Sequence, residues 1–145
     1  MLDRKWIRRP IAACACALAT AAANSETLNV AVTGARSDQG VVRCGLFVSA
    51  DGFRVPGREA RAADASIRNG QALCRFTGVD RGDYALAVFH AEKNEAAVES
   101  GWFGKPKQGV GFSNDPSVTF GPPRFEQARF TIDRPQVDIG ITLQY

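Results

Sequence analysis

Several things are scarce in this chain of 145 residues, and each scarcity excludes something. There is one histidine, so no site built from several imidazoles can be assembled within one copy. There is no H-E-x-x-H, no G-x-S-x-G and no C-x-x-C, which removes the common signatures of a zinc protease, a serine-hydrolase elbow and a redox or metal dithiol. The serines Ser49, Ser100 and Ser113 stand in turn-like contexts. No apolar run reaches the length needed to span a bilayer as a helix; the longest, Ile11 to Ala23, has 13 residues. No window shows helical periodicity, nothing repeats, and no glycine-rich linker divides the chain, so a single domain is expected.

Net charge of one sign is also missing where it would matter. The formal charge is +3, but Arg4, Lys5, Arg8 and Arg9 lie at the N-terminus against Asp3 alone. Without them 18 − 4 = 14 bases face 15 − 1 = 14 acids. A neutral body excludes a general nucleic-acid-binding role, which rests on clustered Lys and Arg.

What is present begins with an export signal. "MLDRKWIRRP" is a basic n-region, "IAACACALATAAA" an apolar core, and Ala21-Ala22-Ala23 a small-residue cleavage site, so residues 1–23 are expected to be removed ahead of Asn24. An uncleaved anchor, lipidation at Cys14 and twin-arginine export through Arg8-Arg9 are the weaker alternatives. The mature chain, 24–145, is expected to be periplasmic or secreted and to carry no membrane span. Cys14 and Cys16 leave with the signal. Cys44 and Cys74 remain as an even pair in an oxidising compartment, either a structural disulfide or two buried thiols.

The body alternates. "TLNVAVTG", "VVRCGLFVS", the weak "ARAADASIR", "QALCRFTGV", "DYALAVFHAE", "EQARFTID" (126–133) and "QVDIGITLQY" give seven short strands. Asn69-Gly70 is the best hairpin signal, because both residues tolerate positive φ. The expected fold is an all-β, seven-stranded antiparallel sandwich, immunoglobulin-like or transthyretin-like, with one long loop over 91–124. The strand ending at Tyr145 can pair with another chain if it lies at an edge.

The order of motifs resembles the exported bacterial proteins catalogued as domain of unknown function 2141. "VTGARSDQGVVRCGLFVSADGF", "GVDRGDYALAVFHAEKN", "GWFGKPKQGVGFSND" and "FGPPRFEQARFTI" carry the resemblance, and the run from Phe103 to Asn114 is its most specific part. It implies an exported β-sandwich and no established activity. Relatives commonly show D-x-N-x-N-G-x-x-D after the histidine, the spacing of a calcium loop. The matching positions here are Ala91, Lys93, Glu95, Ala96 and Glu99. The first ligand is gone, the third is a cation and the glycine is alanine, so neither a metal nor any cofactor is expected.

The candidate binding loop, 100–125, concentrates Trp102, Phe103, Phe112, Phe120 and Phe125 among glycines and prolines. A loop this long is usually functional or disordered, and its aromatic content argues against disorder. Its rings either plug the sandwich or stay outside to stack on a saccharide or hold a peptide. The candidate binding residues are His90, Trp102, Phe103, Phe112 and Arg124. Two function classes follow. The first is a non-catalytic envelope module acting on an unidentified ligand or envelope protein. The alternative is a hydrolase using His90 with Glu92, Glu95 or Glu99. It requires a carboxylate within hydrogen-bond reach of the imidazole.

Overall fold

A computed structural model of the chain describes residues 25–99 and 105–145. The signal segment assigned above lies outside the described residues. Eight strands and one helical turn follow in order: β1 (Glu26–Thr33), β2 (Val41–Phe47), β3 (Arg61–Ser66), β4 (Ala72–Val79), β5 (Gly82–Ala91), β6 (Val110–Phe112), α1 (Phe125–Ala128), β7 (Arg129–Ile132) and β8 (Gln136–Thr142).

Two sheets stack face to face. One has the order β4-β1-β8; the other has the order β3-β2-β5-β6, with β7 also on β5. Strand alternation decides which side chains meet between them. Leu28, Val30 and Val32 of β1 point inward and are buried, as do Val42, Cys44 and Leu46 of β2 and Leu86 and Val88 of β5. The Cys44–Cys74 disulfide crosses the core from β2 to β4 with its Cα atoms 6.7 Å apart, so it bolts one sheet to the other.

Four details depart from the expected sandwich. First, β1 and β8 pair in parallel, Thr27 beside Gln136 through Thr33 beside Thr142, where an antiparallel partner was expected. Inward-outward alternation is the same in either direction, so it carries no information about polarity. Second, an eighth strand, β6, lies inside the segment read as loop. Third, "EQARFTID" is a helical turn before it is a strand, and only Arg129–Ile132 pair. Fourth, the Asn69-Gly70 turn forms as expected, with φ of 52° and 73°. Arg68 and Gln71 exchange backbone bonds of 2.8 and 3.0 Å across it. Yet β3 and β4 then part, one into each sheet. The turn is a corner between layers rather than the end of a ladder.

The five-stranded sheet is covered on both faces. On its outer face Ala85 and Ala87 are small and leave room for a second apolar cluster of Phe47, Phe53, Phe112, Phe125 and Ala128. Phe53 is its centre, with ring centroids 5.6 Å from Phe47, 6.1 Å from Phe112 and 5.8 Å from Phe125, all edge-on. The molecule is therefore three layers deep here, and the third layer is built by Phe53 of the β2–β3 connection, Val118 of the long loop, and Phe125 and Ala128 of α1.

Candidate functional site

The run Gly109–Asn114, the second half of the most specific stretch of the resemblance, is built for packing. A Cβ at Gly109 would strike the Tyr145 ring, and one at Gly111 would come within 2.5 Å of Ile141 Cγ2. Only glycine lets β6 lie this close to β8, which continues past Thr142 so that Val110 and Gln144 exchange bonds of 2.9 and 2.8 Å. Phe112 is 5 % exposed, inside the second core. Ser113 is fully buried; its hydroxyl donates to the Ala128 carbonyl and accepts the Leu86 N–H at 2.9 Å. Asn114 (φ 69°) donates to the carbonyls of Gln127 and Arg129 at 3.1 and 2.9 Å. These captured carbonyls explain why the chain makes the α1 turn before entering β7.

His90 lies on the inward face of β5, one pleat beyond Val88, and has no solvent exposure. Nε2 lies 2.8 Å from the Gln39 carbonyl, so Nε2 carries the proton and donates. Nδ1 lies 2.7 Å from the Tyr145 hydroxyl, which donates to it while accepting the Arg36 N–H at 3.1 Å. The Arg36 guanidinium sits 4.9 Å over the Tyr145 ring and binds Glu92 through two nitrogens at 2.9 and 2.5 Å. Ser37 adds a third bond to Glu92 at 3.0 Å. Chiefly through the Arg36 bond, and against the cost of partial burial, the Glu92 carboxyl is held down at about 2. Glu92 comes no nearer than 4.0 Å to Nδ1, whose hydrogen bond is already given to Tyr145.

The residues at the calcium-like positions bond internally. Glu95 accepts the Lys93 N–H at 2.9 Å, and its carbonyl accepts Arg43 Nε at 2.9 Å. Glu99 pairs with Lys107 at 3.6 Å and gives its N–H to Gln108. Among the described residues no group of three or more His, Cys, Asp or Glu is placed to hold a metal.

The five candidate binding residues are not brought together. Trp102 and Phe103 lie outside the described residues. His90 and Phe112 are buried on opposite faces of the five-stranded sheet. Arg124 alone is on the surface, at the N-terminal side of α1. A family described as an uncharacterized protein conserved in bacteria, domain of unknown function 2141, matches residues 30–140. The chain belongs to that family. No curated protein and no solved structure matches it.

One residue of this DUF2141 chain stands apart. Phe120 is fully exposed, at 102 %, on the tip of a turn closed by the Gly121 N–H and the Val118 carbonyl at 3.1 Å. The base of that turn is fixed. Asp115 takes the Thr142 N–H at 2.8 Å, Gln144 donates to the Pro116 carbonyl at 3.1 Å, and Val118 packs on the second core. Pro122 and Pro123 stiffen the return to Arg124. In the sequence Phe120 is one of the loop aromatics, and no signal there separates it from Phe112. The roles of Tyr145 and Arg36 around His90 left no sequence signal at all, since they come together from separations of 55 and 109 residues.

Proposed function

We propose that this protein is exported and serves in the bacterial envelope as a non-catalytic binding module. Its recognition element is the 113–124 loop with Phe120 at the tip and Arg124 at its foot. The observation that carries this reading is a bare phenylalanine on a fixed loop. A lone exposed apolar side chain is ordinary on any surface. A whole phenyl ring held out on a backbone tied to β8 and α1 is preorganised, and a preorganised aromatic anchor loses little entropy on binding. A saccharide face or an apolar peptide side chain suits the ring, and Arg124 suits a neighbouring hydroxyl or carboxylate.

What supports a non-catalytic role is the economy of His90. Both ring nitrogens are committed to internal partners, and the nearest carboxylate is bound to Arg36. A general base needs a free lone pair within reach of a proton on a bound molecule.

The test is retention of the purified protein on peptidoglycan, on envelope polysaccharide and on immobilised envelope proteins. The expected result is retention on one of these, lost in Phe120→Ala with its melting temperature unchanged. Retention on none of them, or retention indifferent to Phe120, overturns the proposal.

A further inference from the structure

The seam between β7 and β8 is open in a way the rest of the sandwich is not. In β8 the odd-numbered residues face the core. Val137 is 7 % exposed and Ile141 1 %, but Ile139 between them is only half-buried. Across the seam, inward-facing Phe130 of β7 is half-buried too, its ring centroid 6.4 Å from that of Tyr84. Both pack against the main core without being sealed by it.

Among the described residues, the backbone beside this notch is also unpaired. β8 pairs only β1 within its sheet. Leu143 sends its N–H to Thr33 of β1, whereas Thr142 sends its own the other way, to Asp115. By alternation, the N–H and C=O groups of Gln136, Asp138 and Gly140 point away from β1, at the free edge. Natural edges are blunted by charge, bulges or cover. Here the one charged residue, Asp138, lies on the outer face, bound by Asn29 at 2.7 Å and Gln136 at 3.0 Å. Gly140 has nothing within 4 Å of where a Cβ would stand.

We propose that this edge pairs with the same edge of a second copy, antiparallel, about a twofold axis at Ile139. Four registers centred between Val137 and Gly140 fit the direction of the free groups. Centring on Val137, which is already buried, leaves Gly140 outside the ladder and the half-buried Ile139 uncovered. Centring on Asp138 sets two carboxylates directly opposite each other, which is unfavourable. Centring on Gly140 requires Thr142, already held by Asp115, and puts two residues without side chains at the middle. Centring on Ile139 places Asp138 across from Gly140 of the partner subunit, where the missing Cβ leaves room. The two such pairs exchange about four main-chain bonds. The half-buried Ile139 side chains then meet as a close, non-hydrogen-bonded pair, Cα atoms ~4.5 Å apart, and cover the notch. Pairing ends at Gln136, because Asp115 occupies the Thr142 N–H opposite. The contact is short and the dimer accordingly weak, at the transient end of protein interfaces.

Sedimentation of the purified protein over roughly 10 to 500 µM brackets such an association. Variants with one added cysteine, the Cys44–Cys74 bond left in place, fix the register. The expected result is a dimer fraction rising with concentration, with Ile139→Cys forming a disulfide-linked dimer about tenfold faster than Asp138→Cys or Leu73→Cys, since only the axial pair brings two Cβ atoms to bonding range. Leu73 is the exposed control on the opposite edge strand, at 56 %. A monomer throughout the range overturns the proposal. So does crosslinking that shows no preference for Ile139, or prefers Leu73.

Discussion

Replacing Cys44 and Cys74 together by alanine tests the claim that the two sheets are bolted rather than merely stacked. The bond closes a loop with a sequence separation of 30 residues. In the chain-entropy treatment a loop of that length restricts the unfolded chain by about 12 cal/mol/K, or ~3.6 kcal/mol at 25 °C. Both sulfurs are buried, at 2 and 1 % exposure, so their removal also leaves small voids. These add about 1 kcal/mol. An unfolding entropy of ~0.25 kcal/mol/K for a domain of about 120 residues converts the sum into a melting temperature ~14–18 °C lower. Thermal unfolding followed by far-UV circular dichroism reads the difference directly. Reduction of the wild-type protein keeps both sulfurs in place, so only the loop term acts and a shift of ~14 °C is expected. A drop of less than ~4 °C in the double variant means the disulfide adds nothing that the core does not already impose, and the reasoning fails.

Other perturbations separate packing from polar wiring. Ser113→Ala orphans the Leu86 N–H and the Ala128 carbonyl in the interior and is expected to cost about 2–4 kcal/mol, visible as a lower urea midpoint with unchanged slope. Tyr145→Phe keeps the ring over Gly109 but leaves His90 Nδ1 without a donor, for about 1–3 kcal/mol by the same assay. Glu92 has a folded pKa depressed to about 2, so its contribution is present above its ordinary value of 4.5 and is lost as pH falls through about 2. Unfolding midpoints measured from pH 5 down to pH 2 are therefore expected to fall less steeply in Glu92→Gln than in the wild type. Parallel profiles would remove Glu92 from the acid response.

Much of the fold was legible because strands with one buried face advertise it. Alternation in "TLNVAVT" and "VVRCGLF" puts Leu28 with Val30, and Val42 with Cys44, on single faces, and those faces are buried. The even pair Cys44 and Cys74 in an exported chain made a structural disulfide reasonable. Strand polarity was not legible, since β8 reads the same beside β1 in either direction. Three-residue β6 was hidden because Gly111 within it and Gly109 just before it serve close approach to Ile141 and Tyr145, a demand that belongs to β8 and the residues after it rather than to local propensity. The site was less legible still. His90, Tyr145, Arg36 and Glu92 converge only through the tertiary fold. Phe112 and Phe120 sit in similar glycine- and proline-rich surroundings, and only the covered outer face of β5 distinguishes the one that packs from the one that does not.

In the proposed function the long segment divides its aromatics, Phe112 packing beneath the third layer and Phe120 offered to a partner. Binding and unfolding measured side by side on Phe112→Ala and Phe120→Ala test it. Phe112→Ala is expected to lose about 3–5 kcal/mol of stability. Phe120→Ala is expected to melt with the wild type and to bind its envelope target at least ~30-fold more weakly, as for an anchor worth about 2 kcal/mol. Wild-type affinity in Phe120→Ala would contradict the account.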